Sequence, residues 1–438
     1  MNNPPLKKEV IDQKIKELRI PDIGKASIRE IVALVNLVEE ETGVKYVRME
    51  MGVPGLPPAE IGTNAEIEAL KRGVASIYPM MDGIKPLKDE ASKFVKNFMN
   101  IDVSPKGCIP TVGSMQGTYA AFMLAGSIDK KKDTTLFIDP GFPVQKQQML
   151  VLGQKYKSFD VFNFRGGKLR QKLEGFLSQG DINSIIYSNP NNPSWICFTD
   201  EELQIIGELA NKYEVIVMED LAYFAMDFRK DLSKPGEPPY QPTVANFTEN
   251  FVLFISSSKI FSYAGQRCGM MIISDSLYDK EFPNLQERFK SATFGSTMTL
   301  RILYSFSSGT CHSAQWALTA MFRAANEGEF NFVEVVKEYG EKAKVMKRLF
   351  LENGFRLVYE KDLDEPIADG FYFTIAYPGM KGDELVQNLL YYGISAIALN
   401  NTGSDEEGVR ACVSFVKRGQ FNELEDRLRR FNIKYSGN

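Results

Sequence analysis

The chain is almost without histidine: 438 residues contain one, His312. A histidine-based metal centre or a Ser-His-Asp relay is thereby set aside, no metal is expected, and the lone histidine reads as structural. Cysteine is sparse as well. Cys108, Cys197, Cys268, Cys311 and Cys412 fall at no paired spacing, which argues against a disulfide framework and suits the reduced thiols of a cytoplasmic protein. No apolar run approaches the length of a membrane span, and the polar first eight residues lack the apolar core of a secretory leader. Nor does charge of one sign dominate. A formal net charge of -4 gives no electrostatic reason to expect nucleic acid or an anionic membrane as partner.

What is present is an ordinary globular composition, 44% hydrophobic and 25% charged, over a length that accommodates two domains. Ser27-Ile28-Arg29-Glu30 is a capping box that opens a helix running towards Gly43, after a loose N-terminal arm. Residues 46–55 read as an extended piece broken by Gly and Pro. From about Asn64 helix and strand alternate, with helices through Leu70 and Phe98 and strands at 108–112, 135–138, 184–187, 215–218 and 251–255. Thr199-Asp200-Glu201-Glu202 is a second capping box, and its helix between two of those strands makes a βαβ unit. Right-handed crossovers then bring the strand ends to one edge of a sheet. After about residue 325 come a long helix at 332–353 stopped by Gly354, strands at 371–375 and 409–415, and helices around 385–390 and 423–431. The expected division is an N-terminal arm and part of the small domain at 1–55, a large domain at 56–325, and a small α/β domain at 326–438. The Pro-rich stretch at 234–242 reads as a surface loop.

The candidate chemistry lies at the strand ends. Lys259 follows the continuous apolar run 251–255 and so falls at the carboxyl end of a buried strand, where α/β proteins bind ligands. A lysine that loses its proton is a nucleophile able to form a Schiff base with a carbonyl, and the charge of Arg267 would favour that loss. Taken alone it reads equally as a solvated strand end. Gly113-Ser114-Met115 opens an apolar helix whose free backbone N–H groups suit a phosphate. Ser188-Asn189-Pro190-Asn191-Asn192-Pro193 and Glu219-Asp220-Leu221-Ala222-Tyr223 follow two further strands. Along 409–415, alternation places Arg410, Cys412 and Ser414 on one face. An arginine on the inner face of a small domain calls for a partner, and a fixed salt bridge is one candidate.

This ordered set resembles the fold type I pyridoxal-phosphate enzymes, specifically the class I/II aminotransferases related to aspartate aminotransferase, over nearly the whole chain. The resemblance is carried by Tyr78 with Gly83, Gly113-Ser114, Phe142, Asn192-Pro193, Asp220-Leu221-Ala222-Tyr223, Ser256-Ser257-Ser258-Lys259 with Arg267, and Val409-Arg410. It implies a large α/β domain with a mostly parallel seven-stranded sheet flanked by helices. A smaller α/β domain would be built from the C-terminal part and the N-terminal segment. It also implies pyridoxal 5'-phosphate as cofactor. Lys259 would hold the cofactor aldehyde as an internal aldimine and then move a proton between Cα and the cofactor. Asp220 would keep the pyridine nitrogen protonated, Asn192 and Tyr223 would hydrogen-bond the ring's phenolate oxygen, and Phe142 would stack on the ring. Gly113, Ser114, Met115, Ser256 and Arg267 would surround the phosphate. Tyr78 would reach the phosphate of a neighbouring subunit, implying a homodimer with shared sites. Arg410 would bind the substrate α-carboxylate bidentately, with Gly52 and Asn192 nearby.

The implied reaction carries the amino group of an L-amino acid to a 2-oxo acid, commonly 2-oxoglutarate. The same scaffold also hosts C–S lyases and other carbanion chemistry, which fold does not decide. Some regulators carry it as a ligand-sensing module behind a DNA-binding segment, a reading opposed by the short helical lead and the acidic charge. Two positions depart from the family pattern. Ser194-Trp195 stands where Thr-Gly is usual after Asn-Pro, and Leu87-Lys88 stands where many relatives have Leu-Arg.

Overall fold

The computed structural model describes residues 4–436, so the first three residues of the polar N-terminal stretch lie outside it. Two compact units divide the chain. The large one comprises Leu56–Pro190 and Cys197–Val336; the small one takes the described residues up to Gly55, Asn191–Ile196, and the described residues from Lys337 onward.

A seven-stranded sheet organises the large unit. Its strands are β1 (Cys108–Thr111), β2 (Thr134–Asp139), β3 (Lys155–Asp160), β4 (Ile182–Ser188), β5 (Ile216–Leu221), β6 (Phe251–Ser256) and β7 (Gly269–Ile273), in the spatial order β1-β7-β6-β5-β4-β2-β3. The five strands β2 to β6 pair in parallel, whereas β7 runs antiparallel to both β6 and β1. Every strand but β3 is buried at all its positions, which is why the sequence shows continuous apolar runs in place of alternation. Helix α1 (Gly113–Ile128) sets Ala121, Phe122 and Leu124 into one cluster with Val252, Phe254, Met271 and Ile273 of the sheet. Each such fully buried large side chain contributes about 1.5–3 kcal/mol.

The reversal of β7 positions the site. Because β7 is antiparallel to the strands on both sides, its amino end lies on the edge where β1 and β6 finish. Gly269 pairs with Thr111 on one side and with Ser256 on the other. Three turns distant in sequence are thus neighbours.

The small unit holds a four-stranded antiparallel sheet: β8 (Arg356–Leu357), β9 (Tyr372–Ala376), β10 (Ile397–Ala398) and β11 (Val409–Cys412), in the order β10-β11-β9-β8. Val47–Arg48 pairs in parallel with Ile394–Ser395, which makes the N-terminal segment part of this unit. Helix Ile28–Thr42 begins with the expected capping box of Ser27 and Glu30 and ends at Gly43 in the left-handed region, φ +71°. Two expectations are corrected. The N-terminal arm is not loose: Leu6 is buried, and Lys8–Glu17 is a helix that buries Ile11, too weak an apolar stripe to stand out among its charges. The strand expected at 409–415 stops at Cys412, after which Phe415 turns outward to 42% exposure. No helix among the described residues is long and apolar enough to cross a membrane.

Candidate functional site

At the shared edge of the large unit, β6 runs into the short helix α2 (Ser257–Ile260), which carries Lys259. Ser256 opens that helix by accepting the N–H of Ser258 at 3.2 Å, and Ser257 Oγ donates to the carbonyl of Cys268 at 2.5 Å. The lysine turn is therefore fastened to the start of β7. Arg267, just before β7, is left-handed at φ +50°, and its carbonyl accepts the N–H of Gly113 at 3.0 Å. Its guanidinium donates to the carbonyl of Ala264 at 2.8 Å and to Ser258 Oγ at 3.5 Å.

Gly113 is required twice over. Its φ is +64°, and a Cβ there would lie 2.3 Å from Arg267 Nη2. Among the described residues the first turn of α1 has no side-chain cap, and the buried Ser114 Oγ has no hydrogen-bond partner. Uncapped N–H groups, an orphaned hydroxyl and a guanidinium in one place form a seat that fits a phosphate. Met115 opens to solvent at this helix start.

Asp220, near the end of β5, is buried. Its Oδ1 accepts the N–H of Ala222 at 3.1 Å and its Oδ2 accepts Gln145 Nε2 at 2.8 Å. Burial pushes its carboxyl up to about 6, with those two hydrogen bonds pulling the other way. The preceding Glu219, on the opposite face of the strand, has a different task. It accepts Thr243 Oγ1, the N–H of Val244 and Asn189 Nδ2, and burial raises it to about 7. One carboxylate braces loops while its neighbour faces the candidate site. Tyr223 is buried in the turn after β5, and Phe142 stands at the N-cap of helix α3 (Pro143–Leu152), whose Lys146 pairs with Asp139 of β2. Tyr78 is 87% exposed.

The small unit brings together a second group. Arg410, on β11, is 1% exposed. Its terminal nitrogens donate to Asn192 Oδ1 at 3.3 Å and to the carbonyl of Glu50 at 2.5 Å, its Nε has no acceptor, and it forms no ion pair among the described residues. Glu50 does not neutralise it, for that carboxylate is taken by Arg48 at 2.8 Å and by Ser395 Oγ at 2.6 Å. A buried cation without an acidic partner is costly unless an anion joins it. Gly52 lies against Tyr372, whose hydroxyl is 2.1 Å from the place a Cβ would occupy.

Gln145 is the site residue that sequence reasoning passed over. It sits in the first turn of α3 with no motif around it, and only the fold shows that it reaches Asp220.

A family model described as Aminotransferase class I and II matches residues 47–428. An aspartate aminotransferase of Sulfolobus acidocaldarius is 24% identical over 251 residues, 56% of this chain and 59% of that one. A probable aspartate aminotransferase of Methanocaldococcus jannaschii is 24% identical over 366 residues, 83% of this chain and 85% of the relative. Among solved structures, the aspartate aminotransferase of Thermus thermophilus with maleate shares the fold at a TM-score of 0.73 and 17% identity, covering 93% of this chain and 96% of that one.

Proposed function

This chain belongs to the class I and II aminotransferase family, and we propose that it transfers the amino group of an L-amino acid to a 2-oxo acid, with 2-oxoglutarate as the first acceptor to try. Pyridoxal phosphate, on which the family depends, supplies when bound an electron-withdrawing ring that stabilises negative charge at the substrate Cα. One observation carries the reading: a lysine turn, a buried carboxylate and an uncapped helix start with a guanidinium meet on one edge of one sheet.

The roles follow from the chemistry of each group. Ser114 and Met115 would hold the phosphate by backbone N–H groups, Ser256 by its hydroxyl and Arg267 by its charge, with Gly113 leaving the room that the guanidinium needs. Asp220 would hold a proton on the ring nitrogen, Phe142 would cover the ring, and Asn192 and Tyr223 would hydrogen-bond its oxygen. Lys259 would anchor the cofactor and, once released from it, carry the proton to and from the substrate Cα. Arg410 would bind the substrate carboxylate, a reading supported by its burial without an acidic partner. A homodimer in the cytoplasm with sites shared through Tyr78 is part of the proposal. Ile77, Tyr78, Met80, Leu300 and Tyr304, all exposed in the large unit, supply the apolar surface such an interface needs.

The visible absorbance of the purified protein, recorded while common L-amino acids are added without any oxo acid, tests this reading. Loss of the band with one donor and its return with 2-oxoglutarate is the expected result. A band that persists while pyruvate and ammonia accumulate would assign the chain to C–S lyase chemistry.

A further inference from the structure

Trp195, where the family pattern has glycine, is fully buried within the small unit and holds a left-handed backbone at φ +65°. The turn around it closes on itself. Trp195 N–H donates to the carbonyl of Asn191 at 3.0 Å, Asn191 N–H to the carbonyl of Ile196 at 2.9 Å, and both Ser194 N–H and Oγ to Asn191 Oδ1 at 3.1 and 2.7 Å. A left-handed tryptophan is a strained choice, so the indole must be needed where the turn delivers it.

Its surroundings show what it does. The indole fills the space beside Gly370, where a Cβ would stand 1.9 Å from its Cε2. It meets the ring of Tyr372 at 66° with centroids 6.2 Å apart. Tyr372 in turn carries the guanidinium of Arg410, with Cζ 4.7 Å from the ring centroid. The hydroxyl end of Tyr372 is lodged in the notch left by the missing side chain of Gly52. One aromatic face, one amide oxygen and one carbonyl are thus what hold a buried guanidinium that has no carboxylate of its own.

We propose that Tyr372, braced by Trp195 and seated on Gly52, is a positioning residue that fixes the plane of the Arg410 guanidinium so that it is ready for a substrate carboxylate. The inference rests on the reading of Arg410 as the carboxylate-binding residue. A guanidinium binds a carboxylate through two parallel N–H bonds, and those require its plane to be set before the ligand arrives. The stacked ring supplies that restraint and strengthens with desolvation. Gly370 and Gly52 are the complementary spaces that let two large aromatic side chains take these places.

The test uses the holoenzyme and, as probe, whichever common L-amino acid bleaches the visible band fastest. Bleaching is followed over a range of donor concentration to separate the apparent donor Kd from the limiting rate. Tyr372→Leu is expected to raise the apparent Kd about tenfold while the limiting rate stays within about twofold. Tyr372→Phe, which keeps the ring, is expected to stay within about threefold in Kd. Trp195→Phe is expected to raise Kd about threefold, and this variant carries the test should Tyr372→Leu not fold. In all three, the affinity of the apoprotein for pyridoxal phosphate remains that of the parent. Equal loss in Kd, limiting rate and cofactor affinity would assign Tyr372 a merely structural role and overturn the proposal. Arg410→Ala separates the two levels. If it fails to weaken donor binding, the reading of Arg410 falls and the inference with it; if it weakens donor binding while Tyr372→Leu and Trp195→Phe match the parent, the inference alone falls.

Discussion

Gln145 donates from Nε2 to Oδ2 of Asp220 across 2.8 Å, and both side chains are buried. The donor is an amide with no proton to lose, so the bond persists across the working pH range and leaves the carboxylate as the group that titrates. Gln145→Leu is expected to strip Asp220 of one of its two hydrogen bonds, push its pKa further up and weaken cofactor binding by about tenfold, on the basis of about 1–3 kcal/mol for an orphaned buried acceptor. Titration of the apoprotein with pyridoxal phosphate measures it.

Asp220 also makes a stability prediction whose sign is definite. Burial raises its carboxyl from the ordinary 3.8 to about 6, so between those values the native apoprotein keeps a proton that the unfolded chain has released. Stability from this group is full below pH 3.8, falls as pH rises to about 6 and is lost above it. Asp220→Asn, neutral throughout, is expected to make the apoprotein more stable by about 1–3 kcal/mol at pH 8 and to leave it little changed near pH 4. Urea unfolding at the two pH values checks this, and transamination is lost in the same variant.

Lys259→Ala is expected to lower transamination by at least about a thousandfold, the range lost when a positioned proton-transfer group is removed. Single-turnover bleaching with the best donor reads it.

Gly113→Ala brings a Cβ to 2.3 Å from Arg267 Nη2 at a backbone φ of +64°. The guanidinium must move, and phosphate binding moves with it. A loss of cofactor affinity of about tenfold or more is expected, and inorganic phosphate should compete less well for the apoprotein than in the parent. An affinity unchanged from the parent would remove Arg267 from the phosphate seat.

Much of this architecture is legible in the chain because burial on both faces writes continuous apolar runs. β1, β2, β4, β5 and β6 announce themselves so, and the capping boxes at Ser27 and Thr199 mark two helix starts. β3 does not, because an edge strand of sequence Lys-Tyr-Lys-Ser-Phe-Asp is half in solvent and carries the charges that protect an edge. β7, Gly-Met-Met-Ile-Ile, carries an apolar run but no mark of its antiparallel direction, and that direction decides where Arg267 lies. The groups singled out around Lys259 and Asp220 are legible as strand-end residues. Gln145 is not, since a glutamine in a helix's first turn signals nothing until the fold brings it to Asp220. Trp195 stands out in sequence only as a departure from pattern; its use becomes plain beside Gly370 and Tyr372.

The antiparallel strand β7 has a bearing on how the chain is made. Among the described residues β1 pairs with the rest of the sheet through β7 alone, and the paired residues Thr111 and Gly269 are 158 positions apart. At about 5–20 residues per second, β1 leaves the ribosome on the order of ten to thirty seconds before its partner exists. For that interval the four buried-type residues of β1 have no strand to pair with, although the helix behind them can already pack on β2, β4, β5 and β6. The phosphate seat therefore cannot close before Arg267 and Gly269 have been made, and nascent chains cut before Gly269 are the ones expected to aggregate.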